Sequence, residues 1–319
     1  MKHRSLTILA AILMGCAQLA AQTVKTSDLH IRDPFIITDA ESGRYYIYRT
    51  STTMTPDGEI GGVETFWSQD LENWHGPIKV LTLSKDNWIH GHIWAPEVHS
   101  YNGKYYLFAT INCDDFVWKG GGSPAYQFRG TQIFWADTPV GPFQAFDILP
   151  HTPIDQMALD GTLWVEDGKP YMIYCHEWVE TGDGEMMLRP LKDDLSAPDG
   201  PAIRLFCASA APWSNAKTGN VTDGPFLYRT SGGKLLMLWS SFKDGSYAVG
   251  LAESTTGRVI GPWRQSAEPI VNDNGGHSML FKTFDGRLMM VLHQPNGPRG
   301  KERAHFIELE DTGTTLKLK

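Results

Sequence analysis

Cysteine is scarce in this chain. Only Cys16, Cys113, Cys175 and Cys207 occur in 319 residues. The apolar run from Leu6 to Met14 is too short to span a bilayer, and with the basic start Lys2, His3 and Arg4 it reads as a secretory leader over Met1–Ala21. Ala20-Ala21 before Gln22 suits an ordinary signal peptidase better than Leu13-Met14-Gly15-Cys16 suits lipoprotein anchoring. Exported protein is therefore expected, periplasmic or extracellular, with three cysteines left and at most one disulfide. Small hydrophobes in or beside strands is the plainer reading of those cysteines.

Positive charge is also short. Against 36 acidic residues there are 28 basic ones, a net charge of −8, and losing the leader removes Lys2 and Arg4 as well. Such a balance argues against nucleic acid or another polyanion as partner. No Cys/His spacing suggests zinc, and Gly120-Gly121-Gly122 precedes no helix pattern that would make a phosphate cradle.

What the chain has is repetition. The signatures Arg32-Asp33-Pro34-Phe35, Trp94-Ala95-Pro96-Glu97-Val98, Asp160-Gly161-Thr162, Asp223-Gly224-Pro225-Phe226 and Gly276-His277-Ser278 recur at steps of 64, 63, 63 and 54. Each is followed by a turn glycine and an apolar run. Asn102-Gly103 and Asp167-Gly168 between such runs are strong hairpin signals, and Ser42-Gly43, Gly232-Gly233 and Asp285-Gly286 take the same place. Third strands fit at Thr65–Ser68, Thr131–Trp135 and Tyr247–Leu251. Four short strands in each of five units predict an all-β, five-bladed propeller with antiparallel blades, forming one domain over residues 22–319.

A propeller gathers equivalent points of its blades at one hub. Asp33, Glu97, Asp160, Asp223 and His277 are thus expected to face one cavity, where clustered carboxyls separate each other's proton affinities as acid/base chemistry requires. Each has a simpler reading: Asx turn for Asp33, type I′ turn for Asp160-Gly161 and Asp223-Gly224, backbone satisfaction for Glu97, core packing for His277. A second reversal at Asp160 or Asp223 would leave no room for the strand that follows. His277 could also hold water or a hard cation, so a structural calcium in the channel is an expectation. The 11 Trp and 11 Tyr offer flat faces for sugar rings. Trp88, Trp94, Trp118 and Trp178 lie at strand ends, where stacking competes with blade packing, and His90 and His92 could line the rim. The long connection from Asp114 to Arg129 is a place for specificity.

Together, Arg-Asp-Pro-Phe at 32–35, Trp-Ala-Pro-Glu-Val at 94–98, Asp-Gly-Thr-Leu at 160–163, Asp-Gly-Pro-Phe at 223–226 and Gly-His at 276–277 resemble glycoside hydrolase family 43, nearest its α-L-arabinofuranosidase members. The resemblance covers the mature chain. It implies a five-bladed, inverting glycosidase acting on arabinose- or xylose-containing polysaccharides or oligosaccharides, with no catalytic cofactor. By position, Asp33 would be the general base and Asp160 the helper that tunes the acid. The fourth-blade position usually held by glutamate is Asp223 here, one methylene shorter. Glu177, in Cys175-His176-Glu177-Trp178, is a longer carboxylate expected to return to the same mouth. Either could be the acid, the other then binding a substrate hydroxyl; Glu97, Trp94, Trp118, Trp178 and His277 are the further substrate contacts. A monomer is expected. A carbohydrate-binding propeller without catalysis is the alternative.

Overall fold

Alternating apolar positions and left-handed turn residues give short antiparallel strands throughout. The computed structural model describes residues 22–51, 61–83, 92–117, 127–215 and 220–319. Trp118, Trp88 and His90 lie outside the described residues, as does the leader.

Blade 1 contains β1 (Gln22–Lys25), β2 (Phe35–Asp39), β3 (Arg44–Thr50), β4 (Val63–Ser68) and β5 (Asn73–Leu81). Blade 2 contains β6 (Ile93–Tyr101), β7 (Lys104–Val117), β8 (Gln127–Ala136) and β9 (Gln144–Ala145). Blade 3 has β10 (Ala158–Glu166), β11 (Lys169–His176), β12 (Glu185–Pro190) and β13 (Ile203–Cys207), with the single-turn helix α1 (Trp178–Thr181) between β11 and β12. Blade 4 has β14 (Asp223–Arg229), β15 (Leu235–Lys243), β16 (Ser246–Ser254) and β17 (Trp263–Gln265). Blade 5 has β18 (Gly276–Lys282), β19 (Leu288–Gln294), β20 (Arg303–Asp311) and β21 (Leu316–Leu318).

Every blade is a meander, in the sheet order expected of a propeller; blade 1 gains a fifth strand, β1, on the outer side of β5. Asn102-Gly103 and Asp167-Gly168 are two-residue turns with positive φ at both residues, as a type I′ hairpin demands. The apolar residues form five buried clusters, each shared by two neighbouring blades. Burying each Leu, Ile or Val in them contributes about 1.5–3 kcal/mol.

Among the described residues no strand is exchanged between the first and last blades. Instead, the segment between β1 and β2 runs along blade 5: Ile31 N–H donates to Glu302 O (3.2 Å), His30 bridges Arg303, and Leu29 and Ile31 enter the cluster with Met279, Phe281 and Val291. Apolar burial and backbone bonding thereby close the ring.

Candidate active site

Each innermost strand opens with one residue at positive φ: Asp33 (50°), Ala95 (43°), Asp160 (57°), Gly224 (48°) and His277 (52°). In blades 2 to 5 a register break follows at that point, a bulge that turns the side chain out of the ladder. The true equivalents of Asp33 are therefore Ala95 and Gly224, not Glu97 and Asp223 as equal spacing predicts. Asp223 precedes the left-handed residue by one position. Left-handed backbone costs a non-glycine residue about 1–2 kcal/mol, and the hub bears that cost at four blades.

Neighbouring blades hold these bulges. Asp160 N–H donates to Thr110 Oγ1 (2.8 Å), His277 N–H to Ser240 Oγ (2.8 Å) and Asp33 N–H to His293 Nδ1 (3.2 Å). Each acceptor lies on the second strand of the preceding blade. Gly224 has a steric reason as well: a Cβ there would sit 2.7 Å from His277 Cγ. Its N–H donates to Asp160 Oδ2 (3.1 Å).

Asp33, Asp160, Asp223 and His277 consequently meet at one mouth. His277 Nδ1 lies 3.2 Å from Asp33 Oδ1 and 3.7 Å from Asp160 Oδ2; His293 Nδ1 lies 3.1 Å from Asp33 Oδ1. Burial alone would raise Asp33, but His277, His293 and Arg32 overcome it and hold the carboxyl well below the usual carboxylate range. Asp160 has the opposite environment. Burial raises it, the negative charges of Asp223, Asp33 and Glu177 raise it further, and the Gly224 N–H only partly offsets them. Burial also raises Asp223, against the pull of His277 and of the Tyr247 hydroxyl, which donates to Asp223 Oδ2 (2.9 Å).

Glu177 arrives from blade 3, at the residue that follows β11 and caps α1. It is buried, and its N–H donates to Met157 O (2.8 Å). Burial pushes its carboxyl up to about 7; Arg129 and His176 oppose the rise and Asp223 adds to it. Arg129 Nη1 stands 2.8 Å from Glu177 Oε2. The Arg129 guanidinium also lies 4.6 Å from the ring centre of Trp94, which is 38% exposed.

Glycosyl hydrolases family 43 matches residues 26–309, nearly the whole described ring. The chain belongs to that family. A solved structure described as an endo-arabinase from Bacteroides thetaiotaomicron VPI-5482 is 38% identical, with a TM-score of 0.80, covering 92% of this chain and 99% of the other. An extracellular exo-α-(1→5)-L-arabinofuranosidase of Streptomyces chartreusis is 27% identical over 63% of this chain and 62% of its own length. Another, ArbA of Cellvibrio japonicus (strain Ueda107), is 23% identical over 89% of this chain and 84% of its own.

The other residues expected at the site take varied places in this family 43 chain. Glu97 is buried and paired with His99 Nε2 (3.0 Å), whose ring packs 4.9 Å from Phe35. Phe35 and Phe226, two residues beyond the left-handed positions of blades 1 and 4, meet across the hub with ring centres 6.3 Å apart. Trp178 is half-buried at the start of α1 and His92 is exposed. A hard cation takes six to eight oxygen ligands; among the described residues no group of three or more His, Cys, Asp or Glu is arranged to hold a metal, and His277 already faces two aspartates.

Four residues of the site escaped the sequence reading. Arg32, beside Asp33, donates to Asn296 Oδ1 (2.9 Å) and pairs with Glu302 (3.3 Å). Tyr247 and His293 stack at 5.6 Å from the third strand of blade 4 and the second of blade 5. Arg129 sits on the third strand of blade 2. Arg32 stands in the first signature but was read there only as part of the motif; the other three lie outside the first-strand signatures, and the repeat offset from those signatures, carried onto strands two and three, is the signal that would have found them.

Proposed function

We propose that this protein is an exported, inverting glycosidase that releases arabinofuranosyl units from arabinan-type polysaccharides or oligosaccharides, with xylosyl units the second choice. The observation that carries the reading is the division of protonation among carboxyls from different blades. Asp33 is held as the anion and Glu177 holds a proton near neutrality, while Asp160 is raised by burial and by the charges of Asp223 and Asp33. Asp33 comes from blade 1 and Glu177 from blade 3, which supports a base and an acid set apart, as single displacement with an intervening water needs.

In this reading Asp33 accepts a proton from water as it attacks the anomeric carbon, and Glu177 delivers its proton to the leaving oxygen. Glu177 is preferred over Asp223 as acid because it is longer and because Asp223 is engaged by Tyr247 and lies under the influence of Asp33 itself. Asp223 then binds a sugar hydroxyl, and the oxocarbenium-like transition state forms above a floor of carboxyls. Trp94 and Trp178 offer faces for neighbouring sugars. The names of the relatives support arabinan as the polymer, and exo action follows the two exo-acting relatives. A channel calcium rests on His277 alone and takes no part in these steps; elemental analysis of purified protein checks it.

The test is a screen with 4-nitrophenyl α-L-arabinofuranoside, β-D-xyloside and arabino-oligosaccharides, followed by NMR of the first-formed anomer. Arabinose appearing with inverted configuration is expected. A retained anomer overturns the mechanism, and binding without cleavage by wild-type protein would favour a carbohydrate-binding propeller.

A further inference from the structure

The Glu177–Arg129 pair has an unusual geometry for a buried carboxyl and guanidinium. Arg and carboxylate ordinarily form two parallel N–H···O bonds, yet here one short contact, Nη1 to Oε2 at 2.8 Å, joins them. Neither Glu177 Oε2 nor Arg129 Nε makes a well-aligned hydrogen bond to any partner, although both atoms are buried. Asn112, which faces Arg129 across β7 and β8, likewise has its Oδ1 unsatisfied while its Nδ2 donates to His92 O (2.8 Å). Buried polar atoms are nearly always bonded, and each exception calls for an explanation, a catalytic role among them.

The guanidinium is also one layer of a stack. On one side is Trp94, the most exposed aromatic among those at this mouth, and on the other is the proposed acid. A sugar bound against the exposed edge of Trp94, whose covered face carries the guanidinium, would bring a hydroxyl toward Arg129. Trp94 and Arg129 both belong to blade 2, whereas Asp33 belongs to blade 1; Glu177, on blade 3, stands at the side from which a leaving group would depart.

We propose that Arg129, with Trp94, forms the binding site for the leaving sugar: its unpaired Nε–H takes a hydroxyl of that sugar while Nη1 positions the Glu177 carboxyl against the glycosidic oxygen. The inference rests on Glu177 being the acid. Arg129 is then a substrate-binding and positioning residue that makes proton delivery depend on what is being expelled. The groups facing Glu177 from the packed elements are Arg129 on β8, His176 on β11, Asp223 on β14 and Asp160 on β10. Of the two cationic candidates among these, His176 is already held between Glu180 (2.9 Å) and Glu185 (2.8 Å), which leaves Arg129 free to respond to substrate.

Kinetics with two leaving groups test this. Arg129→Gln is expected to lower kcat/KM for an arabino-oligosaccharide by about 10²-fold, because the hydroxyl contact and the aim of the proton are lost together. With 2,4-dinitrophenyl α-L-arabinofuranoside, whose leaving group needs neither, the loss should stay within about 3-fold. The alkaline limb of the pH profile should move upward, since a cation has left the acid's side. Arg129→Lys separates the two roles: the limb stays in place while the oligosaccharide-specific loss persists. Equal losses on both substrates, with an unmoved limb in Arg129→Gln, overturn the inference. A control identifies which layer has failed. Should Glu177→Gln hydrolyse the oligosaccharide normally, the assignment of the acid is wrong; should it discriminate between the substrates while both Arg129 variants do not, only the role of Arg129 falls. Circular dichroism and thermal midpoints of Arg129→Lys guard against reading misfolding as lost recognition.

Discussion

Glu177 and Gly224 show how much a single residue decides here. With a carboxyl raised to about 7, Glu177 supplies the acid form only up to neutrality, so kcat/KM should fall with a single-proton slope above about pH 7 in a pH–rate profile. The same shift has a stability sign. The folded protein keeps this proton where the unfolded chain, near 4.5, has lost it, so the contribution is complete below about pH 4.5 and disappears as pH rises through about 7. Glu177→Gln should flatten that part of the curve, with wild type losing up to about 3 kcal/mol relative to the variant between pH 4 and pH 8, read from urea midpoints. Gly224→Ala tests the other residue. The new Cβ would meet His277 at 2.7 Å in a left-handed backbone, so a cost of about 1–3 kcal/mol and a fall in kcat of about 10²-fold are expected, from displacement of the imidazole beside Asp33. Unchanged kcat in a stable variant would mean that His277 does not govern the base.

At the scale of the element, strands and hairpins were legible because they depend on local pattern: Tyr45–Tyr48 and Tyr105–Phe108 alternate or run apolar, and Asn102-Gly103 can hardly be anything but a turn. Bulges were not. They insert one residue into a ladder without altering composition, so the equal spacing that brought Asp33, Asp160 and His277 to the hub misaligned Glu97 and Asp223 with their neighbours. Glu177 could be read from the strand that returns to the mouth, whereas Tyr247 and His293 depend on which face of the second and third strands meets the adjoining blade. That is a tertiary fact. β1 was also missed, because Gln22–Lys25 has the length and polarity of a loop and becomes a strand only by pairing with β5.

At the scale of the whole molecule, the ring closes among the described residues without a shared strand, and the closing segment ends at the proposed base. Ile31 is 1% exposed in the cluster between blades 5 and 1. Ile31→Ala should destabilise the protein by about 2–5 kcal/mol in chemical denaturation. Because Asp33 is two residues away, activity is expected to be lost at lower urea than tryptophan fluorescence changes; coincident transitions would show that ring closure and base placement are not linked.

The contact between Gly224 and His277 constrains how such rings can be recombined. A blade from one relative carrying any side chain at 224 cannot be spliced beside a blade that keeps the histidine. Chimaeras with a crossover between those positions should lose function even when each donor parent is active, whereas exchanging blades 4 and 5 as one cassette preserves the fit.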